Sequence, residues 1–342
     1  MMSPKEHVIS ALSGEQLDMP PVAVFTQSAT CGQMEYSSIY WPDANYDAGM
    51  MASLASCQAD MFGFEAVRAP FCLTVEAERL GCRTDRGSMK STPMVVGHPW
   101  ETDPADACDI PDIMSADEFL RGGRPAVVAD AIGKLSKTHG SEYPIVAGVT
   151  GPMTIAGHMI SVERLILGTM LMPEWVKSVV KSIVPICKAY SQTLSDAGAD
   201  VIQMSEGLAS PDMILPDNFM EFSGDFLNDC LVSVKGAFSS LHICGDTTHI
   251  LEKMASLGVD ALSIEEKVNP AYAVNVVKGR AALVGNIGVV SPLMQGTPKD
   301  CVAAAEKTMS AGFDIIAPGC GLSYGVSNEN LEAVIYAVKG RR

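Results

Sequence analysis

The chain has 342 residues, 47% of them hydrophobic, which is enough for one large α/β domain or two ordinary ones. Its formal net charge of −16 makes it a poor nucleic-acid binder, because phosphate backbones attract basic surfaces. No apolar run is long enough to span a bilayer, no signal peptide is recognisable, and ten cysteines without small-domain spacing indicate reduced thiols in a cytoplasm.

Short apolar runs and helical periodicity alternate along the chain. Buried strands are predicted at residues 22–27, 61–67, 144–149, 200–205, 239–244, 260–265, 282–287 and 314–318. Helices are predicted at residues 175–197, 211–234, 248–256, 299–311 and 328–338. Eight strands that alternate with helices predict a TIM (β/α)8 barrel. An open doubly wound sheet is the alternative, although no Gly-rich phosphate loop follows any of these strands.

Two connections are much longer than turns. Residues 28–47 follow the first predicted strand, and residues 68–122 follow the second. Loops of this length after barrel strands are usually lids or substrate-binding elements at the C-terminal face. No linker or change of composition divides the chain, so we expect residues 1–342 to form a single domain with long loops after strands one and two.

Three potential metal ligands lie at the ends of the fifth and eighth predicted strands. His242 and Cys244 lie in LHICGDTT, and Cys320 lies in APGCGLS. Residues two apart in a strand face the same side, and the flanking glycines let the backbone bring Cys320 inward. One imidazole and two thiolates are typical of a zinc that keeps one position open. The alternative is two buried cysteines and a hydrogen-bonded core histidine, coinciding at these strand ends.

A fourth ligand is expected from the carboxylates at the ends of the fourth and sixth predicted strands. Glu206 lies in VIQMSEG, and Glu265 lies in ALSIEEK. A carboxylate can fill the open zinc position and be displaced by a thiol. We predict Glu265 for this position, with Glu206 as the second candidate. Alternation alone does not show which side of the strand faces inward, so a solvated loop carboxylate stays the alternative.

An open zinc position beside two thiolates suits one chemistry in particular. Zinc lowers the pKa of a bound thiol and holds it as a nucleophilic thiolate. The ligand set therefore predicts an enzyme that alkylates a thiol substrate.

Several segments carry a family resemblance over nearly the whole chain: PPVAVFTQSAT, VTGPMTIAGH, LHICGDTT, SIEEKV and APGCG. With them the chain resembles the methylcobamide:coenzyme M methyltransferases of methanogenic archaea, within the uroporphyrinogen decarboxylase-like superfamily. The resemblance implies a TIM barrel with one zinc per chain on His242, Cys244 and Cys320, and with Glu265 close to the metal. It also implies methyl transfer from a methylated corrinoid protein to coenzyme M (2-mercaptoethanesulfonate), giving methyl-coenzyme M in methanogenesis.

The resemblance also implies a partner protein. The chain shows no cobalamin-binding domain of its own, so the methylcobamide must be supplied by a separate corrinoid protein. The sequence leaves open whether that protein belongs to a methanol, methylamine or methylthiol pathway.

The sulfonate of coenzyme M needs a cation or backbone donors. Arg68 follows the second predicted strand, at the end of the barrel where substrates bind. We predict that Arg68 binds the sulfonate. The alternative is an arginine that supports the following loop, and in either case Glu65 could pair with it.

Other functions stay open. A true uroporphyrinogen decarboxylase would carry an Arg-rich segment after strand one, whereas VAVFTQSATCGQ has no arginine. A zinc methyltransferase of the methionine-synthase type would usually be larger and bind a folate. A non-catalytic zinc-binding, corrinoid-interaction protein would usually have four local zinc ligands, and those here are far apart in sequence.

Overall fold

The computed structural model describes residues 2–100, 110 and 112–340. Its β-strands are β1 (Val67–Ala69), β2 (Arg83–Asp85), β3 (Met94–Gly97), β4 (Ile145–Thr150), β5 (Val201–Ser205), β6 (Phe238–His242), β7 (Ala261–Ile264), β8 (Ala282–Ile287) and β9 (Ile315–Pro318). Its α-helices are α1 (Pro4–Leu12), α2 (Cys31–Ser37), α3 (Ala48–Phe62), α4 (Val75–Arg79), α5 (Ala116–Leu120), α6 (Gly123–Thr138), α7 (Pro152–Ile160), α8 (Val162–Leu171), α9 (Pro173–Asp196), α10 (Asp225–Leu231), α11 (Leu251–Ala255), α12 (Pro270–Val277), α13 (Pro298–Ala311) and α14 (Asn328–Lys339).

The main sheet in the described residues has seven parallel strands in the order β1-β4-β5-β6-β7-β8-β9, and β2 and β3 form a separate antiparallel pair. The sheet curls, and one segment approaches both of its edges. The Ala23 N–H donates to the Ile316 carbonyl on β9 at 2.9 Å, and the Glu65 N–H, just before β1, donates to the Val22 carbonyl at 2.8 Å. This is a TIM-barrel-like α/β fold, as predicted.

The first predicted strand, residues 22–27, is reduced to an isolated bridge between Val22 and Ile316. Pro20 and Pro21 precede it, and proline has no N–H to donate to a strand ladder. The segment therefore runs between the two edge strands with few sheet hydrogen bonds.

The inside of the curled sheet changes from apolar to polar along the strands. Val201 and Ala261 begin their strands within a small apolar cluster. Val8 of helix α1, which is not part of the sheet, packs in the same cluster. Alternate strand residues face the same side, so Gln203 and Ser263 lie on the same inner face, two positions further on. The polar end of this interior is the C-terminal face of the strands.

Two element boundaries differ from the predictions. Residues 61 and 62 end α3, which Gly63 terminates with φ +80°, so the predicted strand at 61–67 begins only at Val67. The predicted helix at 211–234 starts with a 3₁₀ turn and a π-helical turn, and only Asp225–Leu231 is α-helical. Short apolar runs do not distinguish a helix end from a strand start.

The two predicted long loops contain regular structure. Residues 28–47 include α2 and a 3₁₀ turn, Asp43–Asn45. Residues 68–122 include the end of β1 together with α4, β2, β3 and α5; residues 101–109 and 111 lie outside the described part of the chain. Where the structure describes them, the two segments predicted as long loops therefore contain short helices and a hairpin, whose hydrogen bonds satisfy the backbone.

The longest described helix is α9, with 24 residues. One face of α9 is buried through Trp175, Val179 and Ile183, and Lys177, Lys188 and other polar side chains lie on its remaining surface. Across the described ranges, no helix combines the length and apolar character that crossing a bilayer requires.

Candidate metal centre

Four side chains from three strand ends meet at the polar end of the sheet. His242 ends β6 and Cys244 follows it, Glu265 directly follows β7, and Cys320 follows β9. One ligand atom from each residue lies within 4.8 Å of all the others. Because the C-terminal ends of parallel strands share one face, residues 76 to 78 positions apart in sequence can converge there.

His242 is buried and oriented by the neighbouring strand. Its Nδ1 lies 3.1 Å from the Ser263 hydroxyl and 3.3 Å from the Ser263 carbonyl oxygen. A proton on Nδ1 satisfies these acceptors and leaves Nε2 as the free lone pair. Nε2 lies 3.3 Å from the Cys244 Sγ. This is the arrangement of a metal-binding histidine, whose second nitrogen is held by an outer partner.

The two cysteines form a coupled pair. Their Sγ atoms are 3.8 Å apart. The hydrogen bond between them lowers the pKa of Cys244, and together with burial it raises the pKa of Cys320.

The chain around Cys320 is closely packed against the other ligands. A Cβ on Gly319 would lie 3.0 Å from the Cα of Glu265, so only glycine fits there without displacement of the backbone. The Thr26 hydroxyl donates to the Cys320 carbonyl at 2.7 Å. These contacts hold Cys320 against both the end of β7 and the segment that bridges the sheet edges.

Glu265 lies on the inner face, with 9% of its surface exposed. Alternation along β7 places it on the same side as Ser263, and this answers the orientation that the sequence left open. Asn286 of β8 donates through Nδ2 to the Glu265 carbonyl at 3.3 Å and to the Val268 carbonyl at 2.9 Å. Asn286 therefore positions the turn that carries Glu265.

Glu206, the second candidate for the fourth ligand, lies elsewhere. Its carboxylate accepts hydrogen bonds from the Met153 N–H at 3.0 Å, from the Thr154 N–H at 2.6 Å and from the Thr154 hydroxyl. These donors are at the N-terminus of α7, where a negative charge is favoured. Burial nevertheless raises the pKa of Glu206 to about 7. Glu206 anchors a helix and is not part of the ligand group.

Arg68 is fully buried. Its guanidinium packs over Gly148 of β4, where a Cβ would lie 2.0 Å from Nη2. Nη1 donates to the Pro70 carbonyl, while Nε and Nη2 have no protein partner in the described part of the chain. Glu65, its predicted partner, instead pairs with Lys339 and His7. Arg68 therefore has two free donors inside the sheet and one contact that supports the following segment.

A cavity of about 490 Å³ is lined in part by Gly321 and Leu322, which directly follow Cys320 in the chain. Both segments predicted as long loops contribute to its wall. The lining residues are Gln27, Ser28, Trp41, Phe71, Cys72, Leu73, Thr74, Thr92, Pro93, Met94, Val95, His98, His158, Val162, Gly321 and Leu322. The volume is typical of a small-molecule site. The sequence analysis missed this cavity, and also missed Ser263 and Asn286 as supports for the ligands. Of these, Ser263 could have been found from the sequence, because it lies two residues before Glu265 and therefore faces the same side of the strand.

The residues present fit zinc. Two sulfurs, one imidazole nitrogen and one carboxylate oxygen are a borderline-soft donor set that zinc binds tetrahedrally, whereas calcium and magnesium require mostly oxygen. The buried histidine already has its outer hydrogen-bond partner. His242 ends its strand, and Cys244 and Cys320 each lie two residues beyond the end of a strand. None of the four ligand residues forms an ion pair within the described part of the chain.

Comparisons with known proteins place the chain among characterised relatives. The family model described as "Uroporphyrinogen decarboxylase (URO-D)" matches residues 3–341. The chain is 34% identical to a methylcobamide:CoM methyltransferase, MtaA, from Methanosarcina barkeri, over 97% of this chain and 96% of the relative. It is 32% identical to MtbA, a methylcobamide:CoM methyltransferase from Methanosarcina acetivorans, over 98% of each chain.

A solved structure has the same architecture. The methyltransferase from Methanosarcina mazei superposes with a TM-score of 0.92 at 33% identity, and 99% of each chain is covered. The similarity of fold therefore extends over the whole length of this chain.

Proposed function

This chain belongs to the uroporphyrinogen decarboxylase (URO-D) family and, within it, to the methylcobamide:CoM methyltransferases, and we propose that it transfers a methyl group from a protein-bound methylcobamide to the thiol of coenzyme M. It is a methyltransferase. The product would be methyl-coenzyme M, in methanogenesis. The observation that carries the proposal is the convergence of His242, Cys244, Glu265 and Cys320 within 4.8 Å, together with a cavity of small-molecule size that is lined by the two residues after Cys320.

We propose that this ligand group holds one zinc per chain. When bound, zinc would lower the pKa of the substrate thiol and keep its sulfur nucleophilic at neutral pH. His242, Cys244 and Cys320 would be the permanent ligands, and Glu265 would be the resting fourth ligand. Ser263 keeps the lone pair of His242 Nε2 directed at the group, and Asn286 and Gly319 hold the chain on either side of Glu265.

The proposed reaction balances for both the methyl group and the proton. Transfer forms a carbon–sulfur bond, breaks the carbon–cobalt bond and leaves that electron pair on the corrinoid. The thiol must lose its proton first, and the acceptor would be the Glu265 carboxylate, which lies within 4.8 Å of the other three ligand atoms. Because little of the Glu265 side chain is exposed, few water molecules can compete with the thiol for its carboxylate.

The partner, the location and the domain organisation belong to the same proposal. The methylcobamide would be presented by a separate corrinoid protein at the C-terminal face of the strands, in the cytoplasm. One family model covers residues 3–341, which supports a single domain over residues 1–342.

Methyl transfer from free methylcobalamin to coenzyme M by the zinc-loaded protein is the direct test. Loss of the methylcobalamin absorbance and appearance of methyl-coenzyme M should depend on both zinc and the thiol. Zinc binding without transfer would favour the non-catalytic interpretation. Decarboxylation of uroporphyrinogen by metal-free protein would favour the decarboxylase.

Changing Glu265 to glutamine should weaken zinc retention when no thiol is present. Glutamine keeps the shape but removes the negative charge from the resting fourth ligand. We expect zinc to pass to a chelating dye roughly ten times faster. Coenzyme M should reduce this difference, because its sulfur then replaces the carboxylate.

Glu266→Gln is the matched control for that experiment, because Glu266 is the next residue and is exposed. It should behave like the wild type. Equal zinc loss from Glu265→Gln and Glu266→Gln would exclude Glu265 as the resting ligand.

Arg68 remains our proposed cationic partner for the sulfonate, supported by its two free donors. Arg68→Ala should raise the KM for coenzyme M roughly ten- to a hundredfold, the value of about 1.5–3 kcal/mol for a charge-assisted hydrogen bond. The KM for 2-mercaptoethanol, which carries no anion, should change much less. Arg68→Lys should recover part of the lost affinity for coenzyme M, so its KM should lie between those of the wild type and Arg68→Ala. An equal loss with both thiols would mean that Arg68 supports the Pro70 segment instead.

A further inference from the structure

Two buried polar groups on the cavity wall have no protein partner. Gln27 Nε2 and Ser28 Oγ are both buried, and neither makes a hydrogen bond to any part of the chain that the structure describes. Both residues line the cavity that Gly321 and Leu322 also line. A buried donor without a partner costs free energy, so a ligand that accepts hydrogen bonds there would recover it.

These two residues are held in register with the ligand group. The Leu322 N–H donates to the Gln27 carbonyl at 2.7 Å, and the Thr26 hydroxyl donates to the Cys320 carbonyl at 2.7 Å. A Cβ on Gly321 would lie 3.0 Å from Gln27 Oε1. The segment with the donors is therefore tied to Cys320 and to the two residues that follow it, and a short substrate attached through its sulfur at the ligand group would extend past these donors.

The described wall of the cavity is poor in ionisable side chains. It contains no lysine, arginine, aspartate or glutamate. Burial, with a contribution from His98, lowers the pKa of His158 to about 4, so His158 is neutral at pH 7. Arg124 lies behind Cys72, and its donors are used by Cys72, Thr74 and the Asn45 carbonyl.

An unpaired polar atom alone would not mark a site. Buried hydroxyls without a protein partner also occur at Ser191 and Ser223, and the amide of Gln58 is similar. None of these lines the cavity. Gln27 and Ser28 differ from them because they combine free donors, the cavity wall and a hydrogen-bonded connection to Cys320.

We propose that Gln27 and Ser28 form the subsite that binds the oxyanion tail of the thiol substrate, through neutral donors on the side of the cavity next to Gly321 and Leu322. The amide and the hydroxyl each donate one hydrogen bond to an oxygen of the tail. This rests on the proposed function for the identity of the substrate, a short thiol that carries a sulfonate. Arg68 would approach the tail from the interior of the sheet, and three sulfonate oxygens can accept from all of these groups.

The test uses three variants and two matched controls. Gln27→Leu and Ser28→Ala remove the proposed donors. Gln58→Leu and Ser191→Ala remove equally buried, unpaired groups outside the cavity. The KM for coenzyme M and for 2-mercaptoethanol would be measured with methylcobalamin as the methyl donor. Binding of ethanesulfonate, which has the tail but no thiol, would be measured by calorimetry.

Each donor variant should raise the KM for coenzyme M and the Kd for ethanesulfonate by roughly ten- to a hundredfold, the value of a hydrogen bond to a charged group. The KM for 2-mercaptoethanol should be unchanged, and so should all three constants in the controls. Gln27→Glu keeps the side-chain shape and places a carboxylate there, so it should weaken ethanesulfonate binding further still. This third variant covers the case in which Gln27→Leu does not fold.

Equal changes with both thiols, or ethanesulfonate binding that is the same in the wild type and in Gln27→Glu, would overturn the subsite. The thiol-free ligand separates this result from a failure of the proposed function. Wild-type protein that binds ethanesulfonate through Gln27 but transfers no methyl group would retain the subsite and reject the methyltransferase reaction. Protein that neither binds ethanesulfonate nor transfers a methyl group would reject both the subsite and the methyltransferase reaction.

Discussion

Replacing Cys244 or Cys320 with alanine is expected to remove most of the zinc and to reduce methyl transfer to the level of the metal-free protein. Each change removes one of three proposed permanent ligands and leaves the metal poorly shielded. Outer hydrogen-bond partners alone are worth about ten- to a hundredfold in metal affinity, so loss of a direct ligand should exceed about a hundredfold. Zinc content after dialysis and the rate with coenzyme M check this.

Cys301→Ala is the matched control, because Cys301 is a buried cysteine on α13 that is not part of the ligand group. It should retain the full zinc content and rate. Full occupancy and full activity in both ligand variants would exclude the assignment of the metal centre.

Glu206→Gln is expected to change how stability depends on pH. Burial raises the pKa of Glu206 from its ordinary 4.5 to about 7 in the folded protein. Between these values the folded chain holds more protons than the unfolded chain, so stability is full below about pH 4.5 and is lost as the pH rises through 7. The loss attributable to this one fully buried group is about 3 kcal/mol.

The variant should flatten this part of the profile, because glutamine does not titrate. It should also be less stable than the wild type at pH 5, since its amide hydrogens would face the N–H donors of α7. Urea unfolding at pH 5, 6.5 and 8 measures both effects. Glu35→Gln, a change at an exposed position on α2, should leave the slope unaltered. An unchanged slope in Glu206→Gln would show that the carboxylate stays ionised down to its ordinary pKa.

The sequence alone was enough to select three of the four members of the candidate ligand group. His242, Cys244 and Cys320 could be chosen because soft ligands at strand ends of an alternating α/β chain fall on one face of the fold. The order of strands from β4 to β9 was equally readable, since each is a short apolar run that follows a helical period. These are local properties, repeated often enough along the chain to limit the architecture.

The tertiary structure decided everything that depends on which groups lie beside one another. Glu206 and Glu265 both end strands, and only packing gives one to the N-terminus of α7 and the other to the ligand group. Arg68 follows a pattern that suits a mouth residue, yet it is buried inside the sheet. Gln27 and Ser28 look like ordinary loop residues in the sequence. Their unpaired donors become visible only once the neighbouring segments form a cavity, because hydrogen-bond satisfaction is a property of the assembled fold.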